Sequence, residues 1–477
     1  MVVLVPRDWI ALLKRMAYDA LLRWKAAAKR KVLLVDGARQ IGKTFLIEEF
    51  ARNEYASYIK IDFLNDARAV ELLGKAQDAR QVVEMVSLIS GKPLGDRKTL
   101  LFFDEVQKAQ NIVTISKYLL EDGRFDVVMS GSMLGVELTE VKSFPVGYMT
   151  ILHMYPLTFE EFCWAQNVPQ MVLDSAGVGN GGPGAISDEV HGKLIDLFRL
   201  YLVIGGMPEA VQTYLDSSHD LSAVREVLND LVRLYRKDIA KYANGRSLQV
   251  KAIYDEIPQQ LAKENKRFQL NSLRKQARYE RFANDFAWLV GAKTALKAVN
   301  VTEPKFMLAR TEESSRFKLY AHDCGMLMSR NPIEVAADVL AGAKSVNFGA
   351  VYENFVAQEL AAAGVKLRYY HNNRRGEVDF VVETNEAQVL PIEVKSGKDY
   401  KIHSALNNLL SADEFGISEA VVLSEFAARE KEKCGKVVSY LPLYSISSLT
   451  KRLNADVGAF ERPSEARTSL RVDPPTW

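Results

Sequence analysis

The chain has 477 residues, enough for about three domains at roughly 150 residues each. Its 48% hydrophobic content excludes a disordered chain, and 62 basic against 60 acidic residues (net +2) exclude a uniformly basic or acidic surface without excluding a local patch. Three distant cysteines, Cys163, Cys324 and Cys434, form no CxxC, so neither a disulfide framework nor a zinc site is expected, and a reducing cytoplasm fits. The first six residues lack a basic region and a long apolar core, and no run of 18 apolar residues occurs. Neither a secretory signal nor a membrane span is expected.

Residues 7–30 read as an amphipathic helix, with Trp9, Leu12, Leu13, Met16 and Ala20 recurring at helical spacing. Residues 31–36 form a short apolar strand, then a glycine-containing loop, then a helix from 43 to about 52. Further strands are expected at 58–63, 99–103 and 125–129. Strands alternating with helices predict a parallel α/β sheet over residues 1–165. A Gly/Ser-rich stretch at 173–187 reads as an insertion or linker, and 188–262 as helical. Residues 263–310 read as a compact, basic helical stretch, and 315–450 as a second α/β region. A proline-containing tail closes the chain.

The strongest motif is the loop Gly37, Ala38, Arg39, Gln40, Ile41, Gly42, with Lys43, Thr44 and Phe45 opening the helix. It matches GxxxxGK[ST] between a strand and a helix, where backbone N–H groups and the helix dipole receive phosphates. Lys43 would reach the β- and γ-phosphates of ATP, and Thr44 would hold Mg²⁺. The apolar run 100–103 ends in Asp104 and Glu105, a metal-binding acid followed by one placed to polarise water. Ser130 and Ser132 end the third strand, where a small polar residue can sense the γ-phosphate. Ser-Gly-Ser also suits an ordinary turn.

Toward the C-terminus, a helix at 351–360 carries Glu353, a strand at 377–382 carries Asp379, and a strand at 389–394 carries Glu393, with Lys395 beyond it. That order is the PD-(D/E)xK nuclease pattern. Glu353, Asp379 and Glu393 would hold Mg²⁺, and Lys395 would position the nucleophile. The competing reading is an ion pair of Lys395 with Glu353 or Glu393 in an inert domain. His371 and the loop 372–376 suit either a phosphate contact or an exposed turn. His322 and Asp323 read as structural, and Asp238 has no role that the residues supply.

The stretches GARQIGKT, LLFFDEVQ, the SGS at 130–132, SFPVGYMTILHMYPLTFEEF, YLVIGGMPEAV, HDCGML, GAVYENFVAQEL, GEVDFVVE and PIEVKSG occur in this order. Together they resemble a bacterial and archaeal family in which an AAA-type ATPase is fused to a C-terminal domain of unknown function with a restriction-endonuclease-like core. The resemblance implies a winged-helix-like unit at about 246–310. It also implies a basic residue where this chain has Tyr148, which leaves Arg124 as a substitute arginine finger. Seven basic residues between 263 and 281 would lie on nucleic-acid phosphates or form a solvated face.

The fold expected is α/β: an AAA-type parallel sheet (1–165), a helical, winged-helix-like middle (188–310) and a restriction-endonuclease-like domain (315–450). The function expected is an ATPase that senses or acts on DNA or RNA. The rival is a nucleotide-dependent switch that binds a protein partner or a second copy of itself, with an inactive nuclease-like domain.

Overall fold

The computed structural model describes residues 13–91, 94, 98–132, 147–178, 186–243, 245–275, 277–343, 348–396, 403–433, 435–450 and 452–453. Trp9, Leu12, Cys434, residues 143–146, residues 179–185 of the Gly/Ser-rich stretch and the tail lie outside them.

Helix α1 (Met16–Ala26) buries Ala20, Leu21 and Trp24. Strand β1 (Val32–Gly37) and helix α2 (Lys43–Glu54) flank the glycine loop. Strand β2 (Ser57–Asp62), helices α3 (Ala67–Gly74) and α4 (Ala79–Ser90), strand β3 (Thr99–Asp104), helix α5 (Gln110–Asp122) and strand β4 (Asp126–Gly131) follow. The sheet is parallel, in the order β2-β3-β4-β1-β5. Strands β1, β3 and β4 are buried along their whole length, so they read as continuous apolar runs. The fifth strand, β5 (Met149–Met154), was not anticipated. At the sheet edge it buries only Leu152 and Met154, so its sequence has no continuous apolar run.

A helical region follows: α6 (Phe159–Ala165), α7 (Gln170–Ser175), α8 (Asp188–Ile204), α9 (Pro208–Asp216), α10 (Leu221–Tyr242), α11 (Ser247–Leu261) and α12 (Tyr279–Gly291). The expectation of helix through 310 fails at 295. Strand β6 (Ala295–Val301) pairs antiparallel with β7 (Glu312–Ala321), a hairpin that crosses the division expected at 310–315. The burial of β6 alternates from Leu296 to Asn300, but Val299 is half-buried and Asn300 buried, so the residue types do not alternate with it.

Helices α13 (Cys324–Met328), α14 (Ile333–Ala341) and α15 (Gly349–Ala362) precede strands β8 (Arg368–Asn372), β9 (Gly376–Val378), β10 (Phe380–Glu383) and β11 (Val389–Val394). Helix α16 (Ser404–Leu410), strands β12 (Glu419–Ser424), β13 (Arg429–Lys433) and β14 (Lys436–Pro442), and helix α17 (Ile446–Thr450) end the described chain. Two sheets result, β7-β6-β8-β9 and β10-β11-β12-β14-β13. The single strand expected at 377–382 is therefore two. Strand β9 pairs with β8, β10 pairs with β11, and Asp379 stands at the corner where the chain changes sheets.

Helix α15 is buried at every position from Val351 to Ala361. Phe355 packs edge-on against Phe159, Phe198 and Tyr201, with ring centroids 4.9–6.3 Å apart, tying it to α6 and α8. Its buried polar side chains all find partners. Asn354 bonds both backbone groups of Ala321, Gln358 accepts from Cys324 N and donates to Tyr201 Oη, and Glu359 accepts from Phe159 N at 2.9 Å.

Burial above all pushes the Glu359 carboxyl up to about 8, against the Phe159 hydrogen bond, with Glu161 and Glu160 adding to the rise. Between the ordinary value of 4.5 and about 8 the folded chain keeps a proton that the unfolded chain has released. Stability therefore falls as pH rises through that window, at up to about 1.4 kcal/mol per pH unit. Glu359→Gln should match the wild type near pH 4.5 and exceed it increasingly toward pH 8, as measured by urea unfolding. A difference that does not change with pH would refute this.

Candidate functional site

A loop that turns its N–H groups toward an anion must turn its carbonyls elsewhere, and each carbonyl then needs a donor. Lys43 Nζ donates to the carbonyls of Gly37 (3.0 Å) and Ala38 (2.7 Å). Tyr235 Oη donates to the Arg39 carbonyl at 2.9 Å, and Arg15 Nη1 to that of Ile41 at 3.0 Å. Gly42, at φ 87°, caps α2 in the left-handed region, where a side chain is strained. A Cβ on Gly37 would stand 2.6 Å from the Met154 carbonyl oxygen, so β5 closes on the loop only over glycine.

Lys43 is buried, which lowers its pKa, while Glu105, Asp36 and Asp104 pull it back. Thr44 Oγ1 lies 2.9 Å from Asp104 Oδ2. Asp104 also pairs with Lys60 at 3.2 Å and accepts from Ser130 Oγ. Strand β4 lies between β1 and β3, which places Ser130, and Ser132 just past its end, between the loop and the acids. Ser132 Oγ donates to Glu105 Oε2 at 2.8 Å and accepts from Arg39 Nε at 3.4 Å. Gln107 Nε2 also donates to Glu105 Oε2. No side chain among the described residues donates to Glu105 Oε1. Ala38 and Ile41 are buried, Gln40 is exposed at φ 62°, and Phe45 is 41% exposed beside the loop. Thr44 with Asp104 fits a magnesium ion, because a hydroxyl and a carboxylate meet at the helix start.

Helix α10 grips the loop twice. Besides the Tyr235 bond, Asp238 pairs with Arg39 at 2.7 Å. Tyr235 Oη is also 3.2 Å from His322 Nε2. Burial lowers His322 to about 3, so it is neutral, and the single Tyr235 proton goes to the Arg39 carbonyl. His322 Nε2–H is then assigned as the donor to Tyr235. Asp323 caps α13 and accepts from Gly206 N.

The C-terminal acids converge on Lys318, a fully buried lysine on β7. Its Nζ lies 2.7 Å from Glu377, 3.3 Å from Glu353 and 3.5 Å from Asp379. Lys266, from the basic middle segment, pairs with the other Glu353 oxygen, and Tyr320 Oη donates to Glu353 at 3.2 Å. Lys395 pairs with Glu393 at 2.7 Å, and Val394 N donates to Asp379 Oδ2 at 2.9 Å. Burial pushes Glu353 up, but Lys318 and Lys266 outweigh it and hold it below the ordinary value. Burial and the neighbouring Glu353 and Glu393 push Asp379 well up. Three lysines thus face four carboxylates in this cluster. Among the described residues no group of three or more metal-ligating side chains is placed to hold an ion. The Lys318 ammonium lies between Glu353 and Asp379, 3.3 Å and 3.5 Å away. The sequence signal for Lys318 was a lysine inside the apolar run Phe-Lys-Leu-Tyr; Arg15 gave none.

Residues 29–163 match the profile of an AAA domain. Residues 195–335 match a domain of unknown function (DUF8612), and 348–446 match another (DUF4143). No curated protein matches the chain. Among solved structures, the Walker-type ATPase paby2304 of Pyrococcus abyssi is 13% identical, covering 67% of this chain and 96% of that one at a TM-score of 0.42. The Aeropyrum pernix Orc1 protein in complex with DNA is 12% identical, covering 69% and 90% at 0.27. Thermotoga maritima RuvB T158V is 12% identical, covering 59% and 85% at 0.26. The N-terminal unit is an AAA-type P-loop ATPase domain. No described helix is long and apolar enough to cross a membrane.

Lys318→Met would strand buried carboxylates and should cost about 3–5 kcal/mol in urea unfolding, part of it recovered by adding Glu353→Gln. A cost under about 1 kcal/mol would show that the cluster is not held by this lysine. Arg124 pairs with Asp122 before β4, at the end of the sheet away from the loop and about 20 Å of strand distant. Arg124→Ala should leave ATP turnover within about twofold; a loss near 10³-fold would reveal a finger acting on a second copy.

Proposed function

We propose that the chain is an ATP-driven switch that engages nucleic acid, in which the occupancy of the glycine loop is read by α10 and passed to the C-terminal region. One observation carries this reading: Arg39, inside the loop, is held by Tyr235 through its carbonyl and by Asp238 through its guanidinium. Tyr235 in turn bonds His322 at the end of β7, the strand that carries Lys318 and Tyr320. Residues 318 and 320 alternate, so both address one side of that strand, and His322 follows directly on its end.

Backbone N–H groups of residues 37–44 receive the phosphates, and Lys43 turns from its loop carbonyls to them. Thr44 and Asp104 would hold Mg²⁺, which would supply charge neutralisation to the bound phosphates. Glu105, fixed through Oε2 by Ser132 and Gln107, takes the proton of the attacking water at Oε1. Ser130 and Ser132 sense the γ-phosphate, and Phe45 offers its exposed ring to the base. Arg39 exchanges Asp238 for phosphate oxygens, which loosens α10.

Support for a nucleic-acid partner comes from the basic segment. Arg274, Lys275, Arg278 and Arg281 are exposed, with no ion-pair partner among the described residues. The acidic cluster then serves as a neutralised internal brace. The second reading, metal-dependent cleavage at Asp379 and Glu393, is favoured by Glu393 Oε2, a buried oxygen with no hydrogen-bond partner.

The test is ATP turnover with and without single-stranded DNA or RNA, following strand integrity in the same tubes. Lys43→Ala should abolish turnover, Glu105→Gln should lower it at least about 100-fold with ATP still bound, and Asp238→Asn should uncouple turnover from nucleic acid. Turnover indifferent to nucleic acid in the wild type would sink the nucleic-acid part and leave a switch acting on a protein partner. Metal-dependent cleavage lost in Glu393→Gln would establish the second reading.

A further inference from the structure

An open basin of about 320 Å³ lies on the β7-β6-β8-β9 sheet, lined by Thr302, Arg316, His371, Asn372, Asn373 and Arg374. Every lining side chain can donate a hydrogen bond, and none is a carboxylate. The fold builds this wall deliberately from local irregularities. Between Val299 and Asn300 the pairing of β6 with β7 jumps from Phe317 to Glu313, so Ser314, Ser315 and Arg316 bulge from the ladder. A bulge re-aims the side chains it carries. Asn300, fully buried, holds both sides of the basin: its Oδ1 accepts from His371 N at 2.9 Å, and its Nδ2 donates to Glu313 Oε2 at 2.7 Å. Asn372 Oδ1 accepts from Arg374 N at 2.9 Å, closing the turn that presents Asn373 and Arg374.

The charge is unevenly matched. Arg316 has one acidic neighbour, Glu313 at 3.4 Å, across a half-exposed contact of the kind that contributes little. The Arg374 guanidinium and the His371 ring have no side-chain partner among the described residues. Arg267, of the basic middle segment, bridges Lys318 on the same strand as Arg316. Arg267 and Arg316 are both near enough to oppose, on the Tyr369 phenol, the upward push that burial mainly causes.

We infer that this basin binds a phosphate group carried on a nucleotide unit, with Arg316 and Arg374 on the phosphate oxygens and His371, Asn372 and Asn373 beside the sugar and base. Two forked guanidiniums from opposite walls suit a tetrahedral anion better than a planar carboxylate needs. The volume accepts a phosphate with its sugar rather than a bare ion. A nucleic-acid strand as the source rests on the function proposed above; a free nucleotide is the other source, and both share this chemistry.

The experiment uses the full chain with ADP and Mg²⁺ saturating the glycine loop. Binding of a fluorescein-labelled single-stranded dT15 is followed by anisotropy across a salt series, and binding of thymidine 5′-monophosphate by calorimetry. The comparison is with Arg316→Gln/Arg374→Gln, whose side chains are exposed and whose melting should be unchanged. The inference expects dT15 affinity to fall at least about tenfold in the double variant. It also expects the slope of log affinity against log salt to lose about 1.4, for two single-strand contacts. If dT15 does not bind but the mononucleotide does, and needs both arginines, the basin stands with a free nucleotide and the nucleic-acid reading fails. Binding of dT15 with equal affinity by both proteins overturns the basin and leaves that reading intact. If neither probe binds the wild type, the basin is overturned.

Discussion

A loop that offers its N–H groups to phosphate leaves its carbonyls to be satisfied by the protein, and in this chain the donors come from four places. Lys43 serves Gly37 and Ala38 from within the motif, Arg15 serves Ile41 from before α1, and Leu46 N serves Gly42 as the helix begins. The fourth, Tyr235, reaches Arg39 from a helix almost 200 residues on. The requirement is local and unavoidable, but one of its solutions is tertiary. The Arg39 carbonyl therefore finds its donor only with α10 docked against the loop, which joins the ATPase sheet to the rest of the molecule.

Helix α15 imposes a comparable constraint on the other half. A helix buried on all sides cannot leave its polar side chains to water, so Glu353, Asn354, Gln358 and Glu359 each dictate a neighbour. Asn354 and Gln358 secure the backbone around residues 321–324, Glu359 secures the start of α6, and Glu353 collects Lys266, Lys318 and Tyr320. The middle segment, β7 and the first domain all meet this one element. Aromatic packing of Phe355 on Phe159, Phe198 and Tyr201 supplies the apolar part of the same junction.

The acidic cluster shows how a pattern of residue types underdetermines chemistry. Carboxylates on a helix, a strand corner and a neighbouring strand need a cation wherever they meet in a buried place. A metal ion and a lysine ammonium both meet that need, and the order of the acids in the chain is the same for either. Lys318 and Lys266 come from parts of the sequence that the acid pattern does not include.

The sequence by itself determined the local parts. The apolar runs of β1, β3 and β4, the glycine loop and the start of α2 are dictated by short-range periodicity and backbone chemistry, and residues 37–44, Asp104, Glu105, Ser130 and Ser132 do come together. The tertiary structure alone decided the rest. The edge strand β5 and the strand β6 draw their identity from partners rather than from their own pattern. The split of 376–383 between two sheets, with Asp379 at the turn, follows from which strand each half pairs with. Tyr235, Arg15, Lys266 and Lys318 acquire their roles only through contacts with residues 26 to 196 positions away, which no local period records.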